Sequence, residues 1–299
     1  MRNTLAEYLV GAQYPASARV DLLACYDAIV ASPAGKVFFD WIATYEKDKN
    51  FDYKAALEEM KALAQAIAQH EYVVQLLFCL CLIPTCRRYY EEAGLPVSLM
   101  EHTLLDLRYK LEECRLVYGI NGTFVAFWFD RFFNLERFTF GRLQFELIRF
   151  EHTYKNGDVE ILPDDLVINV HIPRSEAPLD RAACREAYRA AAEFFAKDVK
   201  RTAFTCCSWL LYPDGLELLS ETSNIRRYAA DYTVIETCEY EWYKEMWRLF
   251  DCDVNENTDP DTLPSDTSFR RGYLARMKEK KNAGWGYGLY IPGVTGESL

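Results

Sequence analysis

Asn169 and His171 stand two apart in LVINVHI, Leu166 to Ile172, a run that is otherwise apolar. Residues two apart in a strand share a face, so an amide and an imidazole project together from a segment that reads as buried. An imidazole in that setting either hydrogen-bonds within the core or exchanges protons near neutral pH. Upstream, Arg142, Gln144 and Glu146 alternate with Gly141, Leu143, Phe145 and Leu147. This is strand periodicity with one apolar and one polar face, and the three polar residues are expected to project together. Downstream, Cys206, Cys207 and Ser208 fall in the apolar run AFTCCSWLL. Alternation sends Cys206 and Ser208 one way and Cys207 and Trp209 the other, so at most one set can share a cleft with His171. Two readings follow: a thiol or hydroxyl nucleophile served by His171, which would cleave a thioester without an acceptor, or buried structural cysteines.

A fourth group, Arg174, Ser175 and Arg181, lies around the loop that follows Pro173 and leads into a helix. Loops between a strand end and a helix start commonly hold anions, and these side chains add donors for a phosphate. Asp180 reads as the N-cap of that helix, with Leu179 placed to pack on Cys184, and Cys184, Tyr188, Ala191 and Phe195 form its inward stripe. The loop contains no glycine and the cap is itself negative, so an ordinary capped helix start is the competing reading.

The elements that must position these groups divide into two styles. From Ser17 to about Cys114 apolar residues recur at helical spacing, for example Met60, Leu63, Ala64, Ile67 and Ala68. Breaks are expected at Ser32-Pro33-Ala34-Gly35, at Pro84 and at Gly94-Leu95-Pro96. The pattern changes at Gly119-Ile120-Asn121-Gly122, where we place the domain boundary, with Thr123 capping a short aromatic helix, Phe124 to Asn134. From Arg137 the order strand, helix, strand, helix, strand implies crossover connections and at least partly parallel pairing, so the second half is α/β. The segment DCDVNENTDPDTLPSD reads as an exposed loop, Ser265 or Asp266 as the cap of a helix over Phe269 to Lys281, and GWGYGLYI as a last strand allowing close backbone approach.

Composition narrows the function. The chain has 299 residues, 50% hydrophobic and 26% charged, with 34 Lys plus Arg against 45 Asp plus Glu and a formal net charge of −11. Such an acidic chain without a basic run is not expected to bind nucleic acid. The most apolar stretch, Tyr72 to Ile83, is shorter than the ~20 residues that cross a bilayer and reads as a buried helix. The opening MRNTLAEYLVGAQYP has neither a continuous apolar segment nor a cleavage pattern, so a cytoplasmic location without membrane contact is expected, with the ten cysteines reduced. There is no GxGxxG, P-loop, GxSxG or HExxH motif, and neither Cys79, Cys81 and Cys86 nor Cys206 and Cys207 has structural-zinc spacing, so no metal is expected.

The ordered strings GRLQFE, INVHIPRSEAPLDRAACREAY, CCSWLLYP, SETSNIRRYAADY, LPSDTSFRRGYL and GWGYGLYI together resemble a family of bacterial two-domain acyltransferase-like proteins. The resemblance covers about residues 120 to 292. It implies an all-helical N-terminal domain, 1–122, followed by a GNAT-like domain, 123–299, whose mixed β-sheet is flanked by helices and whose two central parallel strands splay to accept pantetheine. On this reading LVINVHIP pairs its backbone with pantetheine through Asn169, Val170 and Ile172. Arg174, Ser175 and Arg181 meet the pyrophosphate, and AFTCCSWLL, with Ser208, is the splayed partner. Tyr228 is implied as the general acid toward the departing thiolate, and Glu146 or His171 as the base. The implied co-substrate is acetyl-CoA or another acyl-CoA, and the partner a small-molecule or peptide amine. The rival expectation is a non-catalytic CoA-binding or regulatory protein with the same fold, motivated by the missing glycine loop.

Overall fold

A computed structural model describes every residue except Lys244. The chain divides into two compact units, Met1–Phe138 and Thr139–Leu299.

The first unit is helical: α1 Arg2–Gly11, α2 Ala16–Ala31, α3 Lys36–Lys47, α4 Tyr53–Ala66, α5 Glu71–Glu92, α6 Val97–Leu104, α7 Asp106–Tyr118 and α8 Asp130–Phe133. Its axis is α5, in which Val73, Val74 and the run Leu76–Ile83 are all buried. The expected break at Pro84 does not occur. Proline in a helix interior costs about 3 kcal/mol through its missing N–H and ring clash, but burying each Leu or Phe returns roughly 1.5–3 kcal/mol, so packing keeps the helix whole. No single helix is long and apolar enough to cross a membrane.

The unit boundary also lies later than the Gly119–Gly122 change of pattern. The aromatic segment after Thr123 packs into the helices: Tyr45 and Tyr53 meet Phe133 with ring centroids 5.9 and 6.1 Å apart, and the Tyr53 hydroxyl donates to the Ala126 carbonyl at 2.9 Å. Local punctuation marked a change of chain direction, whereas the long-range aromatic contacts decide which unit owns the segment. The expected aromatic helix is a 3₁₀ turn, Ala126–Phe129, followed by the short α8.

The second unit contains β1 Arg137–Phe140, shared with the end of the first, β2 Leu143–Arg149, β3 Tyr154–Asn156, β4 Val159–Ile161, β5 Leu166–His171, α9 Arg181–Phe194, β6 Phe204–Ser208, α10 Pro213–Glu217, α11 Asn224–Ala229, β7 Thr233–Glu239, α12 Trp247–Phe250, α13 Ser268–Lys278 and β8 Gly284–Tyr290. Among the described residues six strands form one sheet in the order β1-β2-β5-β6-β8-β7, and β3 and β4 form a separate hairpin. The central pair β5 and β6 is parallel, whereas β2 with β5, β6 with β8 and β7 with β8 are antiparallel. The sheet is therefore mixed, as the crossover pattern required.

Helix α9 begins as expected, with the Asp180 carboxylate accepting from the Ala183 N–H at 2.9 Å, and Cys184, Tyr188, Ala191 and Phe195 are buried. For α13 the cap is Thr267, which accepts from the Arg270 N–H at 3.1 Å, in place of Ser265 or Asp266. The alternate glycines of β8 allow close approach: a Cβ on Gly286 would stand 2.4 Å from the Leu211 carbonyl oxygen, so the 3₁₀ turn Trp209–Leu211 could not seat over any larger residue.

Candidate functional site

The register of the central strands defines the site. β5 and β6 pair only through Ile168 with Phe204 and Asn169 with Thr205. Beyond that point β5 continues through Val170 and His171 and β6 through Cys206, Cys207 and Ser208 with no registered pair between them. Two adjacent parallel strands therefore part toward their C-terminal ends, leaving backbone donors and acceptors of β5 without β6 partners.

On one face of the sheet, beside this opening, a polar cluster is assembled from three strands. Glu146 on β2 is the register partner of Asn169 on β5, which brings the carboxylate beside the amide. His171 Nε2 lies 2.6 Å from Glu146 Oε1, Asn169 Nδ2 donates to the same oxygen at 3.2 Å, and Thr205 Oγ1 donates to Asn169 Oδ1 at 3.2 Å. The Glu146 side chain is 5% exposed and that of His171 21%, so the imidazole forms the accessible end of the pair. The strand-parity expectation that Asn169 and His171 project together holds, and Glu146 joins them. Arg142 does not. It sits in the turn before β2, where Gly141 adopts φ of +53° under Ala187, and its guanidinium donates to the Pro173 and Ala177 carbonyls, clasping the loop after β5.

The opposite face is aromatic. Alternation turns Phe145, Val170, Phe204 and Cys206 toward α9, where Tyr188 packs on Phe145 and Phe204 with ring centroids 6.0 and 4.8 Å apart. Tyr228, at the end of α11, lies on this side: its hydroxyl donates to Cys206 Sγ at 3.6 Å and shares a 3.0 Å hydrogen bond with Tyr232, which in turn is 2.7 Å from Tyr188. Burial pushes all three phenols well above 10.0, and the Cys206 thiol up to about 12.

The remaining expected residues scatter. Arg174 pairs with Asp251 at 2.8 Å, and Arg181 pairs with Glu297 at 2.7 Å and Asp231 at 3.3 Å, so the two guanidiniums do not converge on one anion site. Ser175 Oγ accepts from the Ala177 N–H at 3.1 Å and Ser208 Oγ from the Leu210 N–H at 3.1 Å, which makes both of them turn caps. Val170 is buried on the aromatic face, and Ile172 follows β5 half-buried. Cys207 reaches the surface on the polar face, and its thiol is pushed up by partial burial and by the charge of Glu236. All ten cysteines are free thiols. Sequence reading missed Thr205, whose only local signal was its two-residue spacing from Cys207, and Arg185, a buried guanidinium bonded to Asp231 and Glu297.

Known proteins share this architecture. Residues 3–135 match the model of an N-acyltransferase N-terminal domain and residues 138–290 that of a GNAT-like C-terminal domain. No curated protein sequence matches the chain. Among solved structures, it is similar to an acyltransferase in complex with decanoyl-CoA and teicoplanin, with TM-score 0.71, 20% identity, and coverage of 96% of this chain and 87% of the other. A mutant acyltransferase in complex with octanoyl-CoA gives TM-score 0.72 and 19% identity over 97% and 88% of the two chains. One in complex with CoA and 10C-teicoplanin gives 0.70 and 20% over 96% and 87%. At such identity the likeness speaks for the fold, and the two family models account for nearly the whole length. The chain belongs to the family in which an N-acyltransferase N-terminal domain precedes a GNAT-like C-terminal domain.

Proposed function

We propose that the protein is an acyl-CoA-dependent N-acyltransferase that moves an acyl group from the thioester to an amine by direct attack. The observation that carries this reading is the Glu146–His171 pair beside the opening between β5 and β6. Unpaired β5 backbone offers hydrogen bonds to the amides of pantetheine, and the opening would bring the thioester between the strands. His171, held by Glu146, takes the proton of the attacking amine; the C–N bond forms, the C–S bond breaks, and CoA leaves as thiolate. Proximity and orientation supply much of the remaining barrier reduction, which suits a site whose thiols are not activated.

Tyr228 takes a narrower role than that of general acid. A phenol pushed well above 10.0 is a poor proton source for a thiolate, yet its hydroxyl remains a hydrogen-bond donor on the face opposite His171. With His171 as the base and Tyr228 as the donor to the thiolate, the two proposed roles fall on opposite sides of the opening. Related structures hold octanoyl-CoA, decanoyl-CoA and teicoplanin, so medium-chain acyl-CoA donors and peptide-derived acceptors are the first to try.

A non-catalytic CoA-binding protein is the second reading, favoured by the carboxylates already paired with Arg174 and Arg181. Thermal stability with CoA, acetyl-CoA, octanoyl-CoA and decanoyl-CoA tests donor binding: a ligand at 100 times its Kd stabilises by about 2.7 kcal/mol. A shift graded by chain length supports the transferase and selects the donor for a mass-spectrometric search over amines. No shift with any of them at millimolar concentration defeats both readings, and a shift without product from any amine favours the second.

A further inference from the structure

We infer that Glu236, beside the stacked rings of His152 and Tyr287, receives a second, cationic group of the acceptor, so that the substrate class is an elongated amine with a positive charge at least about 14 Å from the nitrogen that is acylated. The inference deepens the transferase reading and rests on it for the place of the reacting amine, but the preference of this surface for a cation can be measured without turnover.

Strand register sets a row of side chains across the polar face. His171 pairs with Gln144 on β2, and beyond the opening Cys207 pairs with Tyr287 on β8 and Tyr287 with Glu236 on β7. Asn169 and Thr205 are partners across β5 and β6, so His171 and Cys207, each two residues further on, stand at the same level on the two banks of the opening. On the β5 bank the row ends at Gln144, which is buried and offers an acceptor no surface. On the other bank the row is accessible: Cys207 and Glu236 are exposed and Tyr287 is half-buried. An acceptor whose amine meets His171 therefore extends over β6, β8 and β7. Three strand spacings of about 4.8 Å separate β5 from β7, and the opening adds to them.

The far end of the row is built for a cation. A β-bulge between Val234 and Glu236 shifts the pairing by one residue: regular alternation would set Ile235 opposite Tyr287, and the bulge sets a carboxylate there instead. Bulges of this kind re-aim side chains next to functional sites. His152 lies on the Tyr287 ring with centroids 5.0 Å apart, and its Nε2 is 3.4 Å from Glu236 Oε2. The ring stack is a plate on which a guanidinium can lie, and the Glu236 side chain, 48% exposed, is within reach of it. The charges felt along the row are negative. Burial and then Glu236 push the Cys207 thiol up, and burial and then Glu151 push up the Tyr287 phenol, with Thr205 offsetting part of that push.

Two peptide amides separate charge from reach: Gly-Ala-Ala-Arg amide, and the same peptide with citrulline in place of arginine, which keeps the shape and removes the charge. At about 3.3–3.6 Å per extended residue plus the side chain, the guanidinium reaches the required distance from the terminal amine. Binding without acyl-CoA is read from the ring resonances of His152, assigned among the four histidines by their loss in His152→Gln. We expect the arginine peptide to bind about fivefold more tightly than the citrulline peptide, the upper range of one exposed charge pair, and Glu236→Gln, with an unchanged melting profile, to bring the two affinities together. With octanoyl-CoA or decanoyl-CoA as donor, the ratio of kcat/KM for the two peptides is expected to follow the same pattern. Equal affinities in the native protein, no shift of His152 with either peptide, or a preference that survives Glu236→Gln overturns the inference and leaves the transferase reading standing. A preference that Glu236→Gln removes, with no acylated peptide from either donor, keeps the cation surface and defeats the transferase reading.

Discussion

The two faces of the central sheet use the same strands for opposite purposes. The face toward α9 buries Phe145, Val170, Phe204 and Cys206 with three phenols, all kept neutral by burial. The other carries a carboxylate, an amide, a hydroxyl and an imidazole in hydrogen-bonded order, with the imidazole at the accessible end. Single-residue alternation creates the difference, since Val170 lies between Asn169 and His171, and Cys206 between Thr205 and Cys207. On the transferase reading, proton acceptance would fall to one side of the opening between β5 and β6 and neutral hydrogen-bond donation to the other. Substitutions on the two sides should fail in different ways.

The largest effect is expected from removing the base. His171→Asn should lower kcat about 10²–10⁴-fold while the melting shift produced by acyl-CoA persists. Retention of full rate would assign the base elsewhere. Glu146→Gln comes next. The amide keeps the shape but removes the charge that would stabilise a protonated imidazole, and a loss of roughly 10²-fold with little change in acyl-CoA binding is expected by steady-state kinetics. Equal losses at the two positions would mean that they act as a unit.

How far this polar face was legible in the sequence depends on the range of the contact that makes each residue matter. Asn169 and His171 stand out because strand parity is local: two polar residues two apart in an apolar run must share a side. Glu146 announces a polar face by alternation, but its place opposite Asn169 is set by the pairing of β2 with β5, which no local pattern specifies. Thr205 was hidden between Phe204 and Cys206 in AFTCCSWLL, and its partner lies across a parallel crossover. For the same reason Pro84 reads as a helix end although the packed neighbours of α5 override it, and the ion pairs of Arg174 and Arg181 with Asp251, Asp231 and Glu297, all far away in the chain, have no local signal.

On the aromatic face the expected effects are smaller and concern stability as much as rate. Tyr228→Phe removes one hydroxyl from a buried chain and leaves Tyr232 and Cys206 short of a partner, so unfolding by urea should show a loss of about 1–3 kcal/mol. The rate should fall less than about tenfold, because only a hydrogen bond to the thiolate is removed. A loss as large as that of His171→Asn would restore Tyr228 as a true acid. The same phenols set the alkaline limit. Their folded pKa values lie well above 10.0, so below pH 10 both states hold the protons and the stabilisation is complete. Above pH 10 the unfolded chain releases protons that the fold retains, and stability falls as pH rises toward the folded values. Urea midpoints from pH 8 to 11 should decline above 10, and Tyr228→Phe should flatten that decline by one proton.

The smallest effect is expected at Cys207, and its smallness is informative. Cys207 shares the polar face with His171 by strand parity, and it is the exposed thiol of β6, so a covalent acyl-cysteine route would run through it. Its thiol, however, is pushed up from 9.0 by partial burial and by Glu236, which leaves little thiolate at neutral pH. Direct attack by the amine therefore predicts that Cys207→Ser retains the rate within about twofold. It also predicts that rapid quench with acyl-CoA alone yields no acylated protein by mass spectrometry. An acyl adduct on Cys207 that forms and decays at the turnover rate would reverse the assignment, turning His171 from the acceptor of the amine proton into the activator of a nucleophile on its own face.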